Sequence, residues 1–242
     1  MKHIALLAPL ALSACATPFA AGSPYAFDNK GDLVEFNYAW SAEATATPAL
    51  ARHLRGDLES SWRAAATTAH ADRVLAQANK RKFVGHQYSR RWTTAGQSTR
   101  LISLSSNVLV FTGGAQPSRG ADGLVWDRRQ NKEVKATALF TSGDDLSRLV
   151  RAPFCDRLAA ERQRRLGVAN GNGGNMPCPG LDALAFVPSD RNGNRRFDEF
   201  RVIAPHGAAG AYAEGSYDLG IPVTAAMRAA LKPLYRSSFE AL

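Results

Sequence analysis

The chain has 242 residues, of which 45% are hydrophobic and 21% are charged, and its formal net charge is +9. This hydrophobic content excludes a globally disordered chain, and the length allows about one or two domains. Apart from the N-terminus, no apolar run approaches the length that crosses a bilayer.

The first residues have the pattern of an export signal. Lys2 and His3 form a short basic region, and residues 4–12 form an apolar run that is too short for a mature transmembrane helix. Residues 12–15 read Leu-Ser-Ala-Cys, which resembles the lipobox of bacterial lipoproteins. In such proteins the signal is cut before the cysteine, which then carries lipid. A plain secretory signal with a coincidental cysteine is the alternative.

We therefore predict a lipoprotein signal peptide over residues 1–14, lipidation at Cys15 and a tether over residues 15–30. Ala16, rather than aspartate, follows the cysteine. By the Gram-negative sorting rule this predicts the periplasmic face of the outer membrane. The membrane would then be a partner through the lipid anchor.

Hydrophobic periodicity predicts the elements of the first half. Residues 33–40 alternate as a strand, and an amphipathic helix is predicted to follow Thr47 and Pro48. Its apolar stripe recurs every four positions, at Leu50, Leu54, Leu58 and Trp62. Apolar and polar residues alternate again over residues 83–92 and 99–114, which predicts two further strands.

The second half continues the mixture of strands and helices. The patterns predict a short strand and return around a turn at 129–132, a helix over 144–166, a glycine-rich loop over 167–180, a hairpin of 181–188 with 200–205, a strand over 216–223 and a helix over 224–239. We expect an α+β fold of mostly antiparallel sheets, with two or three amphipathic helices packed on them. The expected units are residues 31–115 and 116–242.

Two cysteines remain if Cys15 is lipidated. In an oxidising compartment, the pair Cys155 and Cys178 is expected to form a disulfide that closes the glycine-rich loop. The alternative is two buried free thiols.

The positive charge of an exported chain indicates anionic envelope partners and no nucleic acid. Lipopolysaccharide, lipid headgroups and cell-wall polymer are the polyanions of that compartment. The cations are scattered, however, in short runs such as residues 127–129 and 162–165. A solvated surface explains them better than a specific anion site.

Catalytic and cofactor motifs are absent from the sequence. The histidines and cysteines have no zinc-site spacing, and there is no GxSxG, Walker A or GxGxxG sequence. We therefore predict no catalytic residue, metal or cofactor. A weak calcium candidate departs from the EF-hand pattern and is also explained as a polar hairpin turn; it comprises Asp190, Asn192, Asn194 and Asp198.

Three stretches carry a resemblance to a known family. Residues 110–117 read VFTGGAQP and resemble a "YTGGAHP" motif, and residues 210–227 resemble a companion "GPYAxG … IP" motif before a last helix. Residues 36–40, FNYAW, resemble the aromatic strand of a first unit. The chain thus resembles the extracytoplasmic domain family shared by the anti-sigma factor RsiV and the non-catalytic N-terminal half of the peptidoglycan deacetylase PdaC. Sphingomonad-type lipoproteins carry the same arrangement.

This resemblance implies a PdaC-like unit over 31–115, an RsiV-like unit over 116–242 and a binding function. The anti-sigma factor binds lysozyme through this domain, and the Asp and His metal ligands of the deacetylase have no counterpart here. We predict a lipid-anchored envelope module that recognises cell-wall glycan or a wall-active protein without catalysis. An enzyme acting on peptidoglycan is the alternative, and a lysozyme inhibitor is a weaker one. The candidate ligand-binding residues are Gly113, Gly114, Gln116, Tyr212, Glu214 and Tyr217.

Overall fold

The computed structural model of the protein describes residues 22–167 and 177–240. These residues form a six-stranded sheet and a three-stranded sheet with helices packed around them. The predicted α+β class with mostly antiparallel sheets is confirmed. Cys15 and the predicted signal peptide lie outside the described residues, as does most of the predicted glycine-rich loop.

The first sheet contains its strands in chain order. They are β1 (Tyr25–Lys30), β2 (Val34–Trp40), β3 (His86–Gln97), β4 (Leu101–Phe111), β5 (Ser118–Asp127) and β6 (Lys132–Val134). Every neighbouring pair is antiparallel except β2 and β3, which run parallel. A parallel pair needs a long crossover connection, and a helical segment supplies it here.

That crossover consists of α1 (Ala42–Thr45) and α2 (Pro48–Ala78). Pro48 suits the first turn of α2 because proline lacks only an N–H that would be unpaired there. The predicted apolar stripe packs on the first sheet: Leu50 and Leu54 are fully buried, and Leu58 is 7% exposed. Although α2 has 31 residues, neither it nor any other helix in the described part is long and apolar enough to cross a membrane.

The second half of the chain builds a separate layer. A continuous helical segment comprises α3 (Gly143–Leu146), a π-helical turn (Ser147–Arg151) and α4 (Ala152–Leu166). The second sheet comprises β7 (Ala185–Ser189), β8 (Glu199–Ala204) and β9 (Tyr217–Pro222), all antiparallel, and is followed by α5 (Ala225–Ala230). Single 3-10 segments occur at Ala136–Leu139, Leu181–Ala183, Tyr212–Glu214 and Pro233–Ser238.

The two sheets meet where β7 lies against β3, β4 and β5. The Asp190 amide donates to the Ala95 carbonyl at 3.0 Å, so the chain leaving β7 is joined to β3. A second apolar core forms between this sheet and α4, with Phe154, Phe200 and Phe239 fully buried. The contact between the sheets brings their loops together at one end of the molecule.

Two predicted elements differ from the structure, and the predicted division at residue 115 is not tested by it. Tyr25–Lys30, within the predicted tether, forms edge strand β1; the Tyr25 ring stacks on Trp40 at 4.0 Å, a contact that local sequence does not reveal. Strands β5 and β6 follow residue 115 yet belong to the first sheet, so the division into units at that residue stays a prediction. The last helix stops at Ala230, because Pro233 biases its predecessor towards extended backbone and a 3-10 segment follows.

The predicted disulfide is confirmed. Cys155 on α4 is bonded to Cys178, and their Cα atoms are 5.7 Å apart. The Arg151 guanidinium also donates to the Cys178 carbonyl at 2.8 Å, so the segment after the loop is fastened to the helical segment at two points.

Candidate functional site

The structure brings the two glycine motifs of the sequence together. The Tyr212 hydroxyl donates to the Pro117 carbonyl at 2.7 Å and so joins the 3-10 segment after β8 to the connection between β4 and β5. Gly113, Gly114 and Gln116 are exposed in that connection. These three residues and Tyr212 therefore share one region of the surface.

Glu214 and Tyr217 are instead part of a buried polar network. The Arg162 guanidinium donates two hydrogen bonds to the Glu214 carboxylate, both 3.0 Å long, and both side chains are 5% exposed. The Tyr217 hydroxyl donates to the same carboxylate at 2.6 Å, and the Ala211 amide donates at 2.8 Å. These donors, Arg162 first, lower the pKa of Glu214 to about 2.

The glycines of this motif fit the carboxylate rather than a ligand. A Cβ on Gly210 would lie 2.2 Å from a Glu214 carboxylate oxygen, and Gly215 adopts a φ of +82° at the following turn. Residues 210–215 pack closely around the ion pair of Glu214 and Arg162, and Arg162 joins this segment to α4. Glu214 and Tyr217 therefore make structural contacts with each other and with Arg162, and their role in ligand binding stays a prediction.

The weak calcium candidate is a hydrogen-bonded turn between β7 and β8. Asp190 accepts from the amides of Gly193 and Arg195, both at 2.8 Å, and Asp198 accepts from the Arg191 amide at 2.8 Å. The Asn192 and Asn194 side chains both donate to the Glu240 carboxylate. Within the described ranges, no three His, Cys, Asp or Glu side chains form a group that could hold a metal ion.

Charged groups converge on a cleft of about 770 Å³, here called the arginine cleft. It is lined by residues 98–100 between β3 and β4, 128–129 between β5 and β6, 194–196 between β7 and β8, and Leu234, Ser237 and Ser238 near the C-terminus. Its lining includes five arginines and, among the described residues, no carboxylate side chain. A cleft of this size accommodates a small ligand or one group of a larger one.

Two of the five arginines each donate two hydrogen bonds to protein oxygens. Arg100 donates from Nε and Nη2 to the fully buried Asp127 carboxylate, at 2.9 and 2.7 Å. Arg128 donates to the Ser98 carbonyl at 2.8 Å and to the Gln97 side chain at 2.9 Å. These contacts fix two guanidinium groups at the base of the cleft.

Arg196 is only partly satisfied. Its Nη2 donates to the Phe239 carbonyl at 2.8 Å, but its Nε is buried and has no hydrogen-bond partner among the described residues. A buried donor without a partner costs about 1–3 kcal/mol, so such groups call for an explanation. Protein atoms already cover this Nε, so it is not available to a ligand in the cleft.

The remaining two arginines carry charge without a protein partner. The Arg129 and Arg195 guanidinium groups make no hydrogen bond or ion pair with the described part of the chain, and both residues are exposed. Arg195 adopts a backbone φ of +67°, which is supported by the hydrogen bond that its backbone amide donates to the Asp190 carboxylate. Burial, followed by the charge of Arg195, lowers the pKa of Arg128. The empty cleft therefore concentrates positive charge.

Sequence reasoning missed this site. From the sequence, residues 127–129 are explained as solvated surface, and no pattern singles out Arg195 or Arg196. The two groups are more than sixty residues apart in the chain and meet only through the packing of β7 on the first sheet. The formal net charge was the one signal that pointed to an anion.

Comparisons with known proteins give a fold but no assigned activity. No family model matches the sequence, and no curated protein matches it. A DUF3298 family protein from Pseudomonas aeruginosa PAO1 is similar in structure, with a TM-score of 0.53 and 14% identity over 90% of this chain and 97% of that one. A DUF3298 family member from Bacteroides fragilis NCTC 9343 also has a TM-score of 0.53, with 12% identity over 82% of this chain and 88% of that one.

Both similar structures fit the resemblance seen in the sequence. At these identities they show a shared fold and nothing about a ligand. A DUF3298-type domain, of the kind shared with RsiV and PdaC, is consistent with the two glycine motifs and their order in the chain.

Proposed function

We propose that the protein is a lipid-anchored binding module of the cell envelope that acts without catalysis and holds an anionic envelope component in the arginine cleft. The observation that carries the proposal is the convergence of five arginines from three separated loops. Guanidinium groups bind carboxylate and phosphate oxygens through paired hydrogen bonds. The cleft therefore favours an anionic ligand over a neutral one.

Structural roles account for only part of this charge. Arg100 and Arg128 are bonded to oxygens of the protein, whereas Arg129 and Arg195 add charge without such a partner in the described residues. Like charges held close together raise the free energy of the empty cleft, and a bound anion lowers it. Arg129 and Arg195 are thus the residues that we assign to ligand binding.

The compartment limits the choice of anion. The predicted signal and lipidation at Cys15 support an envelope location, and the disulfide is typical of an oxidising compartment. The anionic groups there are the carboxylates of cell-wall glycan and the phosphates of lipid headgroups. Wall-active proteins such as lysozymes are usually cationic, so the cleft does not favour them and lysozyme inhibition stays the weaker alternative.

Isothermal titration with inorganic tripolyphosphate tests the cleft directly. The protein would be the chain from Ala16, which retains every described residue. We expect binding that weakens as salt rises, and a loss of about tenfold or more in affinity for the double variant Arg129→Gln/Arg195→Gln. The matched control is Arg73→Gln/Arg81→Gln, which removes the same charge from exposed positions at the other end of α2. Equal losses in both variants would show that net charge alone binds the anion.

Catalysis is tested with the same preparations. The proposal expects that wild-type protein incubated with purified peptidoglycan releases neither soluble fragments nor acetate. Turnover by wild type that disappears in the Arg129→Gln/Arg195→Gln variant would show that the protein is an enzyme rather than a binding module.

The lipid anchor is tested separately. Cys15→Ala should shift the protein out of the membrane fraction, and an unchanged mass and fractionation would contradict lipidation.

A further inference from the structure

The start of strand β1 and the arginine cleft lie at the same end of the molecule. Tyr25, the first residue of β1, pairs with Trp40, and Trp40 pairs in turn with Trp92. Strand β3 continues beyond that row to Gln97, and the following turn, residues 98–100, lines the cleft. Because β1 runs away from this end, the chain before Tyr25 enters the sheet from the cleft side.

A second hollow extends the basic surface at this end. It has a volume of about 560 Å³, is lined by Thr47 and Pro48 at the start of α2, and shares Arg128 and Arg195 with the arginine cleft. The start of a long helix carries a partial positive charge, which adds to that of the arginines. Glu43 also lines this hollow, where its carboxylate accepts from the Thr94 hydroxyl at 3.0 Å. Positive charge still dominates the surface.

The anchor predicted at Cys15 limits how far this end can lie from a membrane. Gly22 is the first described residue and follows Cys15 by seven positions. A fully extended chain spans at most about 3.3–3.6 Å per residue, so seven residues reach about 25 Å. A protein anchored at Cys15 must therefore keep the entry to β1, and the basic end around it, close to the lipid headgroups.

We infer that the arginine cleft docks the protein on the surface of its own membrane, with headgroup phosphates of anionic phospholipids bound by Arg129 and Arg195. This inference rests on the proposed function and names the anion that the cleft binds. Phosphate oxygens match the planar donor face of guanidinium groups. A bilayer also presents many phosphates in one plane, which suits a basic end built from several separate loops.

The lipid anchor and the cleft then act together. A single lipid modification combined with a basic patch gives firmer membrane attachment than either signal alone. Near an anionic surface, each arginine strengthens the partition by about fivefold, so removing Arg129 and Arg195 should weaken it by about thirtyfold. The attachment also fixes which end of the molecule faces away from the lipid.

Cosedimentation with vesicles tests this inference in the absence of the anchor. The chain from Ala16 would be mixed with neutral phosphatidylcholine vesicles, or with vesicles containing about 30 mol% phosphatidylglycerol at about 0.1 M salt. We expect partition onto the anionic vesicles only. Arg129→Gln/Arg195→Gln should reduce that partition by about thirtyfold, whereas Arg73→Gln/Arg81→Gln should leave most of it. Thermal melts of both variants should match wild type, because all four side chains are exposed.

Three results would overturn the inference. Equal binding to both kinds of vesicle would exclude headgroup charge, and a larger loss in Arg73→Gln/Arg81→Gln would place membrane contact at the other end of α2. Binding to purified peptidoglycan that depends on Arg129 and Arg195, without binding to anionic vesicles, would make cell-wall carboxylates the ligand. That last result would still agree with the proposed function. If tripolyphosphate failed to bind, both the proposed anion-binding function and the membrane docking would be wrong.

Discussion

At the residue scale, the Glu214 carboxylate shows how the fold adds contacts that a sequence motif does not reveal. Glu214 is a ligand-binding candidate because it lies in residues 210–227, which resemble a motif of a known family. Its partner Arg162 lies on α4, 52 residues earlier in the chain, and no local spacing predicts the pairing. In the fold, the Glu214 carboxylate joins α4 to β9, because it accepts hydrogen bonds from Arg162 on α4 and from Tyr217 on β9. Motif recognition found the right residue, and only the fold gives it a structural role.

Replacing Glu214 with glutamine should destabilise the protein strongly at neutral pH. The variant leaves the Arg162 guanidinium buried with a neutral partner, and breaking a buried ion pair costs about 3–5 kcal/mol in the free energy of unfolding. Urea unfolding at pH 7 measures this cost. Glu161→Gln is the matched control, because Glu161 pairs with Arg164 and Arg165 at the surface, where such pairs contribute about 0–1 kcal/mol.

The pKa of Glu214 predicts how the stability difference between wild type and Glu214→Gln changes with pH. Folding lowers the pKa of Glu214 from an ordinary value of 4.5 to about 2, so the folded state favours the ionised carboxylate. Its contribution to stability is complete above the unfolded pKa and is lost as the pH falls from about 4.5 to about 2. The difference between wild type and Glu214→Gln should therefore shrink over this window. A difference that stays constant down to pH 2 would contradict the buried ion pair.

At the scale of elements, the contact between the two sheets depends on a glycine. A Cβ on Gly123 of β5 would lie 2.6 Å from the Val187 side chain and 3.1 Å from the Phe186 carbonyl. Gly123→Ala must therefore push β7 away from the first sheet, and overpacking of this kind costs about 1–3 kcal/mol. Thermal unfolding is the measurement. Gly120→Ala on the same strand is the control, since its Cβ would come no closer than 3.7 Å to a neighbour.

The disulfide between the helical segment and the end of the following loop is expected to stabilise the fold. Cys155 and Cys178 are separated by 23 positions, and cross-links that close loops of this length stabilise proteins by about 3 kcal/mol. Adding a reductant during urea unfolding should lower the stability by about that amount. The double variant Cys155→Ser/Cys178→Ser should show the lower stability with or without reductant. If reductant destabilised this variant equally, the effect would have another source.

Elements with strong periodicity could be predicted from the sequence, and those defined by tertiary contact could not. The stripe of Leu50, Leu54 and Leu58 specifies α2, because one face of a helix needs only local spacing. Strand β1 is specified by its pairing with β2 and by the stacking of Tyr25 on Trp40, which sequence periodicity does not reveal. The arginine cleft belongs to the second kind, since its loops are neighbours only after the sheets pack.

At the scale of the whole molecule, the last residues of the chain connect the second core to the arginine cleft. Phe239 is fully buried and packs against Phe197 and Phe200, with ring centroids 5.1 and 5.3 Å away. Its carbonyl accepts from Arg196 in the cleft lining, and the neighbouring Ser238 accepts from the Ser98 hydroxyl at 2.9 Å. The end of the chain thus holds two of the cleft's loops in place.

Phe239→Ala should therefore reduce stability and ligand binding together. Truncating a buried phenylalanine costs about 3–5 kcal/mol through lost burial and the cavity that remains. Tripolyphosphate affinity should fall as well, because the variant loosens the segment that positions Arg196. Leu234→Ala is the control: Leu234 also lines the cleft but is 43% exposed, so its loss should change stability little. Urea unfolding and titration calorimetry on both variants separate the two effects.

The position of these residues in the chain also determines when binding can begin. Ribosomes deliver the amino end first, so the strands of the first sheet are synthesised before residues 234–239 are available. A nascent chain that has not yet delivered Ser238 and Phe239 lacks one wall of the cleft and the carbonyl that holds Arg196. The arginine-rich loops can therefore form the proposed binding surface only after residue 239 has been delivered, and a shorter nascent chain carries the same arginines without an organised site for an anion.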